Sequence, residues 1–302
     1  MIQFRGCYTA IVTPFTADGI AVDEARLAEQ IAFQAEGGVS GIVACGTTGE
    51  SPTLEDDEHR LVVETAVEIG RKRGLQVIAG AGSNSTRHAV ELQKLAFDLG
   101  ADAGLQVSPY YNKPSQEGLY RHFMTMADSC PLPVMLYNIP GRCGVAINPD
   151  TVARLAKHPN IVAIKEATGS MDSASEIRQR CGITILSGDD SLTLPFAACG
   201  SAGVVSVVSN LWPARVQALC EAFLANDFRR AQEIHRELFP VAKGLLSLDV
   251  NPVPLKAAMK LLDRDSGAVR LPLAAASRET VDRIAEILAQ SSLTRLESVA
   301  RA

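Results

Sequence analysis

Long apolar runs, paired cysteines and an excess of positive charge are all missing from this 302-residue chain. No stretch approaches the roughly 18 consecutive apolar residues of a membrane-spanning helix, so we expect no membrane span. The formal net charge of −5 offers no basic surface for nucleic acid. The seven cysteines form no C-x-x-C pair, and the first residues lack the apolar core of a signal peptide. Both features favour a cytoplasmic protein with reduced thiols.

The signature motifs of several enzyme classes are missing as well. There is no G-x-S-x-G turn of a serine hydrolase and no Gly-Lys-Ser/Thr of a P-loop. Gly80-Ala-Gly-Ser-Asn-Ser85 resembles a dinucleotide-binding turn, but Ser85 replaces its third glycine and Asp102 precedes a strand instead of ending it. The five histidines form no i, i+4 ligand pair, and Glu58-His59 is interpreted as helix surface. We therefore expect no cofactor and no catalytic metal.

Short β-rich runs alternate along the chain with longer segments of helical periodicity. Eight runs are predicted as strands: Tyr8–Val12, Gly41–Ala44, Gln76–Ala79, Ala103–Val107, Val134–Tyr137, Ile161–Lys165, Thr184–Leu186 and Gly203–Val208. Helices are predicted between them, including one at Glu55–Arg73, before which Thr53 and Asp56 resemble a capping box. Eight βα units in series fit an α/β protein with a (β/α)₈ TIM barrel, and a doubly wound open sheet is the alternative.

The alternation stops after residue 225. We predict a catalytic barrel over 1–225 and a small C-terminal helical region over 226–302. The helices expected in that region are Phe228–Leu248, Pro254–Leu262 and Ser277–Leu288, with a break at Asn251–Lys256 and a tail at 293–302.

Lys165 ends a buried run, Ile161-Val-Ala-Ile-Lys-Glu166. An amine at the end of a buried strand is costly to charge, because desolvation lowers the pKa of lysine side chains in general. A neutral amine can attack a ketone and form an imine. The alternative is a lysine that reaches solvent or pairs with Glu166, and this residue taken alone favours the alternative.

Polar side chains follow other predicted strands at the same edge of the barrel, where catalytic residues of this fold lie. Gly46-Thr-Thr-Gly-Glu50 places two hydroxyls between glycines before a helix, which suits a carboxylate ligand or, equally, a capped tight turn. Tyr111 follows the fourth strand and Tyr137 ends the fifth, and phenols can relay protons. Arg142 can bind a carboxylate bidentately. Each residue alone is more often packing or surface, but together with Lys165 they favour an active site.

Six motifs stand in the order of a known family: Ile11-Val-Thr-Pro14, Gly46-Thr-Thr-Gly-Glu50, Pro109-Tyr-Tyr-Asn112, Tyr137-Asn-Ile-Pro140, Lys165-Glu-Ala-Thr-Gly169 and Ser187-Gly-Asp-Asp190. As a set they are highly specific. From about Gly6 to about Leu288 the chain resembles the pyruvate-dependent class I aldolases of the dihydrodipicolinate synthase and N-acetylneuraminate lyase family. The resemblance implies a lyase that forms a Schiff base with pyruvate.

The resemblance also implies catalytic roles. Lys165 forms the Schiff base, and Tyr137 is the acid/base hydroxyl beside it. Thr47, Tyr137 and Tyr111 form a proton relay. In the family the residue at the place of Tyr111 comes from a neighbouring subunit, so we expect at least a dimer, and commonly a homotetramer built as a dimer of dimers.

Substrate-binding roles follow from the same resemblance. Thr48, together with Thr47, holds the pyruvate carboxylate. Gly188 and Val205 line the pyruvate pocket through backbone groups. Arg142 binds the carboxylate of the second substrate, aspartate 4-semialdehyde.

The choice within the family depends on fewer residues. Sialate lyases usually carry Ser-Thr where this chain has Thr47-Thr48, and they lack an arginine at the place of Arg142. Both differences favour the synthase of diaminopimelate and lysine biosynthesis. N-acetylneuraminate lyase and aldolases of sugar acids or hydroxy-oxoglutarate are the alternatives within the family. A non-catalytic barrel that binds an oxo-acid is the alternative from another class, and the complete set of reactive side chains argues against it.

Regulation by lysine is a separate question. Lysine-sensitive members of the family bind lysine at a subunit interface near the positions of Asp56 and His88. Those members typically have histidine at the first position and glutamate at the second. The missing glutamate removes a partner for the ammonium of lysine, although Asp56 can replace it. We expect weak or absent inhibition by lysine.

Overall fold

The computed structural model describes residues 2–293, in which eight parallel strands close into a barrel. The strands are β1 (Gly6–Ala10), β2 (Gly41–Ala44), β3 (Gln76–Gly80), β4 (Ala103–Val107), β5 (Val134–Asn138), β6 (Ile161–Glu166), β7 (Thr184–Ser187) and β8 (Gly203–Ser206). Each strand pairs with the next, and β8 returns to β1 with Gly203 opposite Gly6. The TIM-barrel prediction is therefore confirmed, and the open-sheet alternative is wrong.

Helices follow the strands around the barrel and continue after it. Residues 2–293 contain α1 (Glu24–Glu36), α2 (Asp56–Lys72), α3 (Thr86–Asp98), α4 (Gln116–Ser129), α5 (Pro140–Cys143), α6 (Pro149–Leu155), α7 (Met171–Arg180), α8 (Thr193–Ala198), α9 (Pro213–Leu224), α10 (Phe228–Leu246), α11 (Val253–Leu261) and α12 (Arg278–Gln290). None of these helices is both long and apolar enough to cross a membrane. The division of the chain into two domains at residue 225 stays a prediction. The predicted tail at 293–302 lies, apart from residue 293, outside the described residues.

Side-chain caps set the first turns of several helices. Ser85 and Ser115 each accept a hydrogen bond from the backbone N–H three residues further on, which satisfies a group that the helix leaves unpaired. The start of α2 differs from the prediction. Glu55 precedes this helix, and its N–H donates to the Glu58 carboxylate at 3.1 Å. Thr53 is not a cap, because its hydroxyl donates instead to the carbonyl of Glu50.

Successive side chains of each strand enter two different cores. On β6, Ala163 packs inside the barrel, whereas Ile164 packs outside it against the surrounding helices. Lys165 therefore points into the barrel and Glu166 points away from it. Tyr137 on β5 and Val205 on β8 also belong to the inner core. The alternation of side chains along each strand thus determines which polar side chains face the interior of the barrel.

The amino-terminal end of the barrel is filled by aromatic side chains. The rings of Phe4 and Tyr8 meet edge to face with centroids 5.7 Å apart, and the Tyr8 hydroxyl donates to Gln76. Both side chains are buried. The polar inner residues collect instead at the opposite end, where the strands terminate and the longer loops begin.

Candidate active site

Lys165 and Tyr137 meet inside the barrel at the carboxyl ends of β5 and β6. They are register partners on adjacent strands, and the Lys165 Nζ atom lies 4.1 Å from the centroid of the Tyr137 ring. Lys165 is 6% exposed and Tyr137 is 5% exposed. The amine therefore neither reaches bulk solvent nor lies on the barrel's outer surface.

Glu166 does not serve as the partner of Lys165. Its carboxylate accepts hydrogen bonds from Asn138 Nδ2 and from the N–H of Thr168, each at 3.0 Å. Burial raises the pKa of Glu166, and these two hydrogen bonds oppose that shift. The alternative in which Lys165 is neutralised by its neighbour in sequence is therefore wrong.

Gly188 lies directly against the lysine side chain. A Cβ atom at this position would stand 3.2 Å from Lys165 Cε and 2.6 Å from the Cβ of Ala167. A residue without a side chain is therefore required for the close approach of the turn after β7. Val205 is fully buried in the inner core on the neighbouring strand.

Asp190 joins the ends of β7 and β8. Its carboxylate accepts from the hydroxyl of Ser206 at 2.5 Å and from the N–H of Val207 at 2.8 Å. Burial raises the pKa of Asp190 to about 6, although these hydrogen bonds favour its charged form. The linkage holds the turn that carries Gly188 close to the strand that carries Val205.

The loop after β2 carries Thr47 and Thr48. Thr13 donates from its hydroxyl to the carbonyl of Gly49 at 2.7 Å, and a Cβ on Gly49 would stand 3.1 Å from the same hydroxyl oxygen. Glu50 ends the loop with a φ of 54°, in the left-handed region. Thr48 is buried, whereas Thr47 is half-buried and faces a cavity.

That cavity has a volume of about 240 Å³ and opens at the carboxyl end of the barrel. Thr47, Tyr137 and Arg142 lie on its wall, as does Tyr110. Its size suits small organic acids better than large ligands. Three predicted site residues therefore face one space, and Lys165 lies next to that space against the Tyr137 ring.

Tyr111 is a predicted catalytic residue that does not line this cavity within the single chain. It is 91% exposed and has a φ of 73°, in the left-handed region that a bulky residue rarely adopts. Tyr110 turns toward the cavity in its place. The backbone of the loop thus directs two adjacent phenols to different surroundings.

Arg142 lies on the short helix α5, which the end of β5 holds in position. Asn138 donates from Nδ2 to the carbonyl of Ile147 at 3.1 Å and accepts from the N–H of Ile147 at 3.0 Å. This side chain closes the loop that contains Arg142. The guanidinium is exposed and donates from Nη2 to the carbonyl of Asn251 at 3.3 Å.

Residues after the barrel also contact the site, and the sequence interpretation missed them. Asn251 donates from Nδ2 to the hydroxyl oxygen of Thr48 at 3.0 Å. Lys256, fully buried, donates to Glu50 Oε1 at 2.6 Å and to the carbonyl of Ala268 at 2.8 Å. Burial lowers the pKa of Lys256, and the carboxylate of Glu50 opposes this effect. A lysine inside the otherwise apolar start of α11 was the available signal in the sequence.

The positions associated with lysine binding lie elsewhere. Asp56 and His88 line a separate cavity of about 400 Å³ together with Glu91. The Nδ1 atom of His88 is 3.4 Å from Glu91 Oε2. Glu91 thus supplies a carboxylate one turn beyond His88. The expectation of weak inhibition by lysine considered only Asp56 and His88 and did not include this carboxylate. Weak inhibition by lysine stays a prediction.

Metal ligation has no candidate in the described part of the chain. No group of three or more histidine, cysteine, aspartate or glutamate side chains between residues 2 and 293 is arranged to hold a metal ion.

Known proteins share this sequence pattern and this fold. A 4-hydroxy-tetrahydrodipicolinate synthase from Geotalea daltonii is 50% identical over 293 residues, which cover 96% of this chain and 100% of the relative. A chloride-inhibited dihydrodipicolinate synthase from Acinetobacter baumannii, complexed with pyruvate, matches with a TM-score of 0.93 and 38% identity over 96% of this chain and 100% of that chain. A monomeric dihydrodipicolinate synthase variant matches with a TM-score of 0.92 and 39% identity, covering 96% and 97% of the two chains. The family model of the dihydrodipicolinate synthetase family matches residues 3–291, and the chain therefore belongs to this family.

Proposed function

We propose that this chain is a 4-hydroxy-tetrahydrodipicolinate synthase, a lyase of the class I aldolase type in diaminopimelate and lysine biosynthesis. It condenses pyruvate with L-aspartate 4-semialdehyde. The observation that carries the proposal is the contact between the buried amine of Lys165 and the Tyr137 ring, at the end of the barrel where the 240 Å³ cavity opens. Relatives at about half identity bear the name of this activity.

Lys165 is the nucleophile. Its amine attacks the ketone carbon of pyruvate, and loss of water leaves an imine. The imine withdraws electrons, so the pyruvate methyl group loses a proton and an enamine forms. The enamine carbon attacks the aldehyde of the second substrate. The amine of that substrate then attacks the imine carbon, closes a ring and releases Lys165.

Each of these steps moves a proton, and we assign that transfer to Tyr137. Its phenol ring contacts the amine, and its side chain lies on the cavity wall. Thr47 lies on the same wall. We assign the relay to Thr47, Tyr137 and Tyr111, because a hydroxyl can both accept and donate a proton.

The carboxylates of the two substrates bind at separate positions. Thr48 and Thr47 hold the pyruvate carboxylate on the loop after β2, because each side chain offers a hydroxyl donor. Gly188 and Val205 complete the pyruvate pocket through their backbone. Arg142 binds the carboxylate of aspartate 4-semialdehyde, for which its exposed guanidinium offers two parallel donors.

The relay requires a second copy of the chain. Tyr111 points away from its own cavity and is 91% exposed, which suits a residue that completes the site of a neighbouring subunit. We therefore propose a homo-oligomer, with a homotetramer built from tight dimers as its complete form, working in the cytoplasm. One structural relative is a monomeric variant, so the oligomeric state of this chain has to be measured directly.

Reductive trapping tests the central step. Borohydride added with pyruvate should reduce the imine and leave one pyruvyl-derived group on Lys165, which peptide mass spectrometry locates. Lys256 provides an internal control, because it is also a buried lysine but is paired with Glu50. Absence of the adduct, or an adduct on Lys256 alone, would overturn the proposed mechanism.

The aldehyde substrate needs its own assay. Turnover of pyruvate with aspartate 4-semialdehyde should greatly exceed turnover of pyruvate with N-acetylmannosamine. The reverse preference, with Lys165 still trapped, would keep the Schiff-base chemistry and replace the synthase by a sialate lyase.

A further inference from the structure

Asn251 touches both groups to which the substrate carboxylates are assigned. It lies between α10 and α11, outside the barrel strands. Its side-chain Nδ2 donates to Thr48 Oγ1 at 3.0 Å, and its main-chain carbonyl accepts from Arg142 Nη2 at 3.3 Å. A single residue thus connects the loop after β2 with the helix after β5.

The direction of the first hydrogen bond has a chemical consequence. A threonine hydroxyl has one proton to donate and lone pairs to accept. Because the Asn251 amide donates to Thr48 Oγ1, the hydroxyl proton of Thr48 is left to point elsewhere. A carboxylate can only accept, so this arrangement leaves Thr48 as a donor for the pyruvate carboxylate. An acceptor in the place of the amide would attract the same proton and remove that donor.

The surroundings hold Asn251 in place. Five residues further along the chain, the buried Lys256 donates to Glu50 Oε1 at 2.6 Å, and the second oxygen of Glu50 accepts from the N–H of Arg270 at 3.0 Å. Glu50 ends the same loop that carries Thr48. The segment from 251 to 256 is therefore attached at both ends to the loop that it orients.

We propose that Asn251 is a positioning residue: its amide orients the Thr48 hydroxyl toward the first substrate's carboxylate, and its main-chain carbonyl orients Arg142 toward the second substrate. This inference rests on the proposed function and deepens it. A substitution at residue 251 changes the side-chain contact with Thr48 but leaves the main-chain carbonyl that Arg142 contacts. The effects on the two substrates can therefore be separated.

Asn251→Asp is the sharpest variant, since it keeps the shape of the side chain and replaces the donor by a charged acceptor. We expect the KM for pyruvate to rise about 100-fold, corresponding to about 2.7 kcal/mol, with a much smaller change in the KM for the aldehyde. Borohydride trapping should require correspondingly more pyruvate. Trapping by hydroxyacetone, a ketone without a carboxylate, should change little. Equal losses with both ketones would overturn the inference.

A double-mutant cycle covers the case in which the aspartate variant folds poorly. Asn251→Ala should raise the pyruvate KM about 10-fold, and Thr48→Val should have at least the same effect. The double variant should be no worse than Thr48→Val, because the amide acts through that hydroxyl. Additive effects would overturn the inference. Failure of trapping in the wild-type protein would instead contradict the proposed function, so the two failures are distinguishable.

Discussion

Two loops at the same end of the barrel are built in opposite ways. The loop after β2 is enclosed by its own chain: Glu50 is 2% exposed and pairs with Lys256, and Thr48 bonds to Asn251. The loop after β4 turns outward, and Tyr111 is 91% exposed at its tip. Both loops supply hydroxyl groups to the proposed reaction. Under the proposed assignment, one chain would complete the carboxylate site by itself, whereas the proton relay would depend on a second chain.

The largest expected effect concerns the enclosed loop. Glu50→Gln removes the carboxylate that Lys256 contacts directly, at a position where the two side chains are 0% and 1% exposed, and leaves only the weaker attraction of Asp265. Because a buried charge is costly when unpaired, we expect the free energy of unfolding to fall by about 3–5 kcal/mol, measured by urea denaturation. The double variant Glu50→Gln with Lys256→Met should recover much of this loss. A decrease below about 1 kcal/mol in the single variant would mean that the enclosure contributes little.

In the loop after β4, we expect a substitution to reduce activity strongly and stability very little. Tyr111→Phe should lower kcat about 100-fold, or about 2.7 kcal/mol in the barrier, because a phenol of the relay is lost. Its unfolding free energy should change by less than about 0.5 kcal/mol, since the side chain is 91% exposed within its own chain. Tyr110→Phe is the matched control on the same loop, and it should retain far more activity.

Mixing variants tests whether Tyr111 acts on its own chain or on a neighbour. Tyr111→Phe and Lys165→Ala are each expected to be nearly inactive. A hybrid oligomer pairs an intact Lys165 on one chain with an intact Tyr111 on the other, so activity should reappear after the two are unfolded and refolded together. If activity stays at the level of the separate variants, Tyr111 does not act across an interface.

A smaller effect on the unfolding free energy is expected from pH, through a histidine on the helix that follows the β4 loop. His122 on α4 forms a 2.8 Å hydrogen bond with Thr86 on α3, and burial lowers the pKa of His122 to about 4. The unfolded chain binds this proton near pH 6.5, so stability is full at high pH and falls as the pH drops from 6.5 toward 4. The loss should reach about 2 kcal/mol at pH 5 relative to pH 8 in urea titrations.

Variants at two histidines isolate this contribution. His122→Gln should flatten the pH dependence of the unfolding free energy. His88→Gln makes the same substitution at a side chain that is 44% exposed, and it serves as the matched control. An identical slope in the wild type and in His122→Gln would assign the acid sensitivity to other groups.

Local pattern was enough to predict the eight strands, since each is a short apolar run followed by a helix. Their ends were less well predicted. The strand expected at Tyr8–Val12 lies at Gly6–Ala10, because Ile11 and Val12 remain buried after the strand stops. The strand expected to reach Val208 ends at Ser206, where Val208–Asn210 forms a 3₁₀ turn. Residues stay buried beyond the last hydrogen bond between neighbouring strands. A strand predicted from a run of apolar residues is therefore too long at its end.

The parts of the site that sequence could not predict depend on distant partners. Glu58 and His59 were interpreted as helix surface, but Glu58 pairs with Arg270, and His59 Nε2 lies 2.8 Å from the carbonyl of Gly80. Asn251 was placed in a break between helices, although it contacts a threonine 203 positions earlier. Neither helical periodicity nor strand spacing carries information about such contacts. The family motifs predicted the reactive groups, and the folded chain adds the residues that orient them.

The missing side chain at Gly188 has a consequence for redesign of the enzyme. A Cβ at position 188 would stand 2.6 Å from the Cβ of Ala167 and 3.2 Å from Lys165 Cε, so any side chain there would press against the proposed nucleophile. Libraries that aim at bulkier ketone donors should therefore keep position 188 fixed and diversify other positions that line the cavity, such as Leu105 and Ile139.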